Sequence, residues 1–167
     1  MDKSKTLNIL KNAFLMERQG KHLYEKARDS AEDQAVKAFF QGLADEEQEH
    51  MDILEKQFKA YMSDGRFVAG GYENDGAAEP APQILDDAVK NNINAAGFEA
   101  TAITAAIGFE GKAVKLYALR AEEAQDPEEK KLYKWLSVWE TTHLRKLIDL
   151  QEGLMERVWE DNSFWPF

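Results

Sequence analysis

The sequence contains no cysteine, and that absence removes disulfides, thiolate nucleophiles, iron–sulfur clusters and thiolate-bound zinc together. Any metal must therefore rest on Glu, Asp and His. Positive charge is also in short supply. The chain has 21 Lys and Arg against 31 Asp and Glu, a net charge of -10 over 167 residues, so a polyanion such as DNA or RNA is repelled and nucleic acid is excluded as a partner. Long apolar runs are missing as well. The longest uncharged apolar-rich stretch, Ala100 to Phe109, is bracketed by Glu99 and Glu110 and reaches only about half of the ~20 residues a bilayer span needs. The opening MDKSKTLNILKNAF lacks the continuous apolar stretch and small-residue cleavage site of a secretory signal, so the expectation is a cytoplasmic protein with no membrane partner.

What is present suits a helical bundle. With 44% hydrophobic and 31% charged residues, the chain can fill one core and is short for two, so residues 1–167 are expected to form one domain, with a bundle over about 4–157. From Ser4 to Arg28, Leu7, Leu10, Phe14, Leu23, Tyr24 and Ala27 recur at three- and four-residue steps, which predicts a first helix. Ser30 with Asp33 three residues later resembles a helix start, and Val36, Phe39, Phe40, Leu43, Met51, Leu54 and Phe58 carry a second helix to about Met62. Ser63 to Pro82 then holds four glycines between Gly65 and Gly76, two prolines and no sustained period, and is expected to be a long crossover. A short helix over Leu85 to Ile93 is expected before a third long helix from Phe98 to near Ala124. Asp126-Pro127-Glu128-Glu129 places a capping aspartate, a proline at the first helical position and an acidic first turn, which predicts a fourth long helix to about Arg157. The tail over 158–167, with Trp159, Phe164, Trp165 and Phe167, is too aromatic to be left in water; packing against its own bundle or a sister subunit is expected, and hence a homodimer.

An internal repeat carries more information than composition. A single shift of 93 residues, without gaps, places Glu17 on Glu110, Tyr24 on Tyr117, Glu47 on Glu140 and His50 on His143, together with Leu23 on Leu116, Leu43 on Leu136 and Leu54 on Leu147. Each half therefore reads as a helical hairpin with a lone Glu and a Tyr on its first helix and Glu-x-x-His on its second. The midpoint between Glu17 and Glu47 is Glu32, beside the break at Asp29-Ser30; that between Glu110 and Glu140 is Gln125, beside Asp126-Pro127. Residues equidistant from a turn sit at one depth of a hairpin, so the carboxylates are expected to face each other.

A Glu and a His three apart share one helical face, so Glu47 with His50, and Glu140 with His143, each present an oxygen and a nitrogen donor inward. Ala13, Phe14, Leu43, Ala106, Ile107 and Leu136 continue that inward stripe. Four buried carboxylates without cations are strongly destabilising or take up protons, and two divalent cations would offset their charge. Carboxylate and imidazole donors without thiolates suit iron or manganese, and two metals roughly 3.5–4 Å apart form the usual bridged pair. Glu17, Glu47, His50, Glu110, Glu140 and His143 are the candidate ligands, with Glu47 and Glu140 as candidates to bridge. Tyr24 and Tyr117 are either core aromatics or hydrogen-bond donors to those carboxylates. Glu46 and Glu49 point about 100° or more away from Glu47 and read as solvated, or at most as standing behind the ligands. His22 lacks a Glu-x-x partner and reads as a surface residue. Gly70-Gly71 is followed by no Lys-Ser/Thr, so no nucleotide loop is expected.

A Glu on each of two helices with Glu-x-x-His on each of the other two is the donor pattern of ferritin-like carboxylate bundles. On Glu17 with Tyr24, Glu47-Gln48-Glu49-His50, Glu110 with Tyr117 and Glu140-Thr141-Thr142-His143, the chain resembles the ferritin-like di-iron domain of the rubrerythrin family over roughly Leu7 to Leu150. The resemblance implies an all-α, four-helix up-down bundle of two hairpins joined by a long crossover, two iron ions, and reduction of hydrogen peroxide or dioxygen. Its alternative is oxidation of Fe(II) in iron handling. Rubrerythrins usually add a rubredoxin-like site with four cysteines; this chain has none, so electrons would come from an external donor protein such as a rubredoxin-like carrier. They also tend to have a further glutamate one turn after the third-helix ligand, where this chain has Ala113, with Gly20 at the equivalent place in the first helix. A different class of function, a metal-free helical module that binds a protein partner through its acidic surface and aromatic tail, predicts no stabilisation by added metal.

Overall fold

The computed structural model of the chain describes residues 3–70, 87–94 and 97–161. Among them every regular element is a helix: α1 Lys3–Ser30, α2 Gln34–Asp64, α3 Asp87–Asn92, α4 Phe98–Glu123 and α5 Pro127–Asp161. The two expected hairpins are α1–α2 and α4–α5, and they lie side by side along α1 and α4.

The helix boundaries follow from their caps, and here several expectations shift. Ser30 closes α1 and does not cap α2. Asp33 is the cap, its Oδ1 accepting from the backbone N–H of Ala35 at 2.8 Å and of Val36 at 3.2 Å. A serine followed by aspartate three residues on reads in sequence as a capped start, whereas the aspartate itself is the cap. Asp126 caps α5 as expected, its Oδ1 accepting from the N–H of Glu128 at 2.8 Å and Glu129 at 3.3 Å. α2 runs past Met62 to Asp64 and stops at Gly65, whose φ of 65° lies in the left-handed region that glycine enters without cost. α5 continues beyond Arg157, so Val158 and Trp159 are helical, Trp159 with 61% of its surface exposed. Phe164, Trp165 and Phe167, Leu85, and the crossover from 71 to 82 lie outside the described residues.

The start of the crossover is pinned to the bundle. The buried Gln57 amide donates to the Val68 carbonyl at 2.7 Å and accepts from its N–H at 3.0 Å, and Phe67 is buried beside it. At the other end α3 is tied down twice: Asn92 donates to Asp33 Oδ2 at 2.9 Å, and the Arg157 guanidinium donates to the carbonyls of Asn91 and Ile93.

Burial separates into two apolar layers. One holds Tyr24, Phe40, Leu43, Ile103, Leu147 and Leu150; the other holds Leu10, Leu54, Tyr117, Leu132, Tyr133 and Leu136. Truncating any of these leucines to alanine is expected to cost about 2–5 kcal/mol. The α1–α4 side closes through small residues, Ala13, Ala27, Ala102, Ala106 and Ala113, all buried. The backbones of α2 and α5, in contrast, hardly approach each other, and large side chains span that side. No helix among the described residues is long and apolar enough to cross a membrane.

Candidate metal centre

Between the two apolar layers the bundle turns polar. Glu17, Glu47, His50, Glu110, Glu140 and His143 are each at most 3% exposed, and they converge from all four long helices. Their donor atoms form two overlapping groups, Glu17, Glu47, His50 and Glu140 in one and Glu47, Glu110, Glu140 and His143 in the other, with the atoms of each group within 4.8 Å of one another. The lone glutamates fall one to each group. Glu47 and Glu140 belong to both, the place a bridging carboxylate would take.

The histidines turn Nδ1 toward this cluster. His50 Nδ1 lies 3.2 Å from Glu17 Oε2 and 3.0 Å from Glu140 Oε1, and His143 Nδ1 lies 3.2 Å from Glu140 Oε2 and 3.5 Å from Glu47 Oε1. Close as they are, Glu47 Oε2, both Glu140 oxygens and His143 Nδ1 make no aligned hydrogen bond to any described residue. His50 Nδ1 does bond Glu17 Oε2, but buried polar atoms rarely stay unpaired, and a carboxylate–imidazole set that converges with four of its atoms unbonded suits cations placed between them. The donor set thus fits a pair of divalent ions: six protein ligands, no thiolate, and four carboxylates to balance the charge.

Protonation points the same way. Burial pushes the Glu17 and Glu110 carboxyls well above their ordinary range, and the charges of Glu140 and Glu47 push them further. Burial opposes ionisation of Glu140 too, but the charge of His50 and the contact with His143 outweigh it and hold that carboxyl well below its range. Glu47 is likewise lowered, its burial and the Glu140 charge being overcome by His143 and His50. Burial alone would depress both imidazoles; the surrounding carboxylates, Glu140 foremost, raise both. Without cations, then, the cluster favours protons on Glu17, Glu110 and both histidines, and metal binding would compete with those protons.

Tyr24 and Tyr117 do more than fill the core. Tyr24 donates its hydroxyl to Glu110 Oε1 and Tyr117 donates to Glu17 Oε1, so each hairpin's tyrosine holds the lone glutamate of the other. Burial raises both phenols well above their usual range, and the carboxylate each one faces raises it again, so both stay protonated donors.

Two nearby residues escape single-helix reasoning, and a third takes the second of its two expected places. Glu46 stands behind a candidate ligand: its side chain is 20% exposed, its Oε2 lies 2.7 Å from His143 Nε2, and Lys146 Nζ stands 3.5 Å away. The 100° that separates it from Glu47 turns it toward α5, where the outer nitrogen of His143 meets it. Trp135 and Trp139 pack edge-on against His50, with ring centroids 5.3 and 5.9 Å away. Their spacing offers a signal after the fact, since Trp135, Trp139 and His143 follow at four-residue steps on one strip of α5. Glu49 is exposed, and the His22 side chain is 67% exposed with Glu25 3.8 Å from its Nδ1, so neither joins the cluster. Of the expected apolar neighbours, Ala13, Leu43, Ala106 and Leu136 are buried, while Phe14 and Ile107 are only partly so.

Compared with known proteins, the chain matches the rubrerythrin family over residues 8–151. No curated protein and no solved structure matches it.

Proposed function

The chain belongs to the rubrerythrin family, and from that premise we propose that it is a di-iron carboxylate oxidoreductase that reduces hydrogen peroxide, or dioxygen, with electrons from an external donor protein. One observation carries the reading: two overlapping groups of buried donors that share Glu47 and Glu140. Glu17 with His50 would hold one ion and Glu110 with His143 the other, while Glu47 and Glu140 serve both. Bound there, a pair of iron ions, with manganese as the other candidate, supplies two-electron redox chemistry at the O–O bond.

The protein's own part is to hold and to exclude. Tyr24 and Tyr117 fix the orientation of the lone carboxylates across the hairpin boundary. Glu46 engages Nε2 of His143 and so leaves Nδ1 aimed at the cluster, the arrangement that sets tautomer and ring angle in metal-ligating histidines. The apolar layers above and below keep bulk water out, which strengthens each charge interaction between them. No cysteine stands in the sequence to hold a rubredoxin-like site, which favours an external donor protein as the source of reducing equivalents in this reading.

A second reading, oxidation of Fe(II) as substrate for storage or transfer, is supported by Gly20 and Ala113, which place no further carboxylate one turn beyond Glu17 or Glu110. Metal analysis after anaerobic Fe(II) loading tests the shared premise and should return about two ions per chain. Essentially none would end both readings. Turnover then separates them: catalytic loss of peroxide with an added electron donor supports the first, and consumption of Fe(II) far beyond the bound complement supports the second.

A further inference from the structure

The six candidate ligands are at most 3% exposed, so no donor protein can touch them, and no cysteine is present to carry electrons inward. An electron must cross side chains that lie between the cluster and the surface. Three aromatic contacts leave the cluster. From Tyr24 the route runs to Phe40, at 6.5 Å between centroids, and on to Phe39 at 5.3 Å; phenylalanine rings hold their electrons too tightly to serve. From Tyr117 it runs to Tyr133, stacked at 5.9 Å. Tyr133 is fully buried and its hydroxyl has no hydrogen-bond partner among the described residues, so a phenol that must shed a proton to be oxidised has no base to receive it.

The third contact differs in kind. Trp135 and Trp139 stand edge-on to His50 at 5.3 and 5.9 Å, and Trp139 also meets His143 at 6.4 Å. The two indoles lie 5.8 Å from each other. Both are half-buried, so each has one side against a candidate metal ligand and another in solvent. Indole is the most readily oxidised ring here that can give up an electron while keeping its N–H proton. Electron tunnelling decays exponentially with distance, and this pair places oxidisable rings between the histidines and the surface.

We propose that Trp135 and Trp139 are the electron-entry residues of the centre. The inference rests on the oxidoreductase reading above. With a peroxide-oxidised metal pair held by these ligands, each indole would pass one electron inward beside His50 or His143 and would recover one from a one-electron carrier protein at the surface. Two such steps, with two protons from solvent, accompany the cleavage of one peroxide O–O bond to two water molecules. No bond to tryptophan forms or breaks while the donor is present.

Depriving the centre of its donor exposes the path. Iron-loaded protein treated with hydrogen peroxide, without reductant, should gain oxygen atoms at Trp135 and Trp139, mapped by peptide mass spectrometry, in clear excess over Trp159. Trp159 is 61% exposed and is the internal control for a diffusing oxidant; equal or greater oxidation there overturns the proposal. The paired variant Trp135→Phe with Trp139→Phe keeps aromatic packing but removes the oxidisable rings. It should retain its iron and its Tm, while re-reduction of the oxidised centre by reduced methyl viologen slows roughly tenfold. An unchanged rate in a variant that still consumes peroxide overturns the inference and leaves the functional reading standing. Loss of iron in the variant would make the indoles supports for His50 only and also overturns it. Failure of the unaltered protein to take up iron removes the functional reading, and the inference with it.

Discussion

The two hairpins present the same donors and different surroundings. At the equivalent positions Glu17 and Glu110, Tyr24 and Tyr117, Glu47 and Glu140, and His50 and His143, the halves agree residue for residue. They part at the places behind those donors: Glu46 corresponds to Trp139, Gly42 to Trp135, Ile53 to Lys146 and Gly20 to Ala113. The consequence is one histidine backed by a carboxylate and a lysine and another walled by two tryptophans. A site that is symmetric in its ligands is thus asymmetric in its electrostatics. The difference teaches that repetition fixes where donors sit, while the residues free to vary between repeats set what each donor can do.

The strongest way to break the comparison is to remove a shared donor rather than a private one. Glu140→Ala is expected to lower metal content after loading from about two ions per chain to almost none, since both donor groups include it, whereas Glu17→Ala should leave about one. Equal losses in the two variants would mean that the donors do not divide as the geometry divides them. Next in size, Glu46→Ala should weaken metal binding about 10–100-fold, because outer partners of ligating histidines typically matter by that much. The loss should fall on one of two binding steps in a titration; a uniform loss would deny the asymmetry.

Crossing the hairpin boundary sharpens the comparison further. Tyr117→Phe takes a donor from Glu17 in the other hairpin, and leaving that buried oxygen unpaired should cost about 1–3 kcal/mol in thermal or denaturant unfolding. The pH response of stability follows from the protonation pattern. Glu17, Glu110, His50 and His143 all have raised values, so above the ordinary carboxylate range the native state binds more protons than the unfolded chain. The metal-free protein should therefore lose stability as pH rises through those raised values. Glu47 and Glu140, held low, act in the opposite sense and only in acid, where their protonation removes stability as pH falls. Metal binding, which displaces protons, strengthens with pH. The rise in Tm on adding metal should thus be larger at about pH 8 than at about pH 6, and a constant rise would refute proton displacement.

The smallest effect expected is at Gly20. A Cβ there would stand 3.3 Å from Glu47 Oε1 and 3.4 Å from its Cδ, so Gly20→Ala must push that carboxylate by a few tenths of an ångström. Alanine also adds up to about 1 kcal/mol of helix propensity. Metal-free protein should be slightly more stable and metal binding a few-fold weaker, checked by Tm and by titration of the same variant.

Much of this was legible in the residues alone. Three- and four-residue apolar steps, the capping aspartate before Pro127 and the glycine-rich interruption after α2 set four long helices in two hairpins, because helix period and caps are local properties. The shift of 93 set the six donors at one depth, because in a hairpin sequence distance from the turn is spatial depth. Helix ends were placed less well: α2 and α5 run on past their last strongly periodic residues, where backbone hydrogen bonds persist without apolar packing to mark them. What only the tertiary structure decided is who faces whom. A position on a helix gives an angle, and the angle of Glu46 is the same whether water or an imidazole stands opposite. That His143 stands there, that each tyrosine serves the other hairpin's carboxylate, and that Trp135 and Trp139 fill the space between α2 and α5 all depend on how four helices lean together. Those contacts join residues of different hairpins, up to 100 positions apart in the chain, and local periodicity carries no information across that distance.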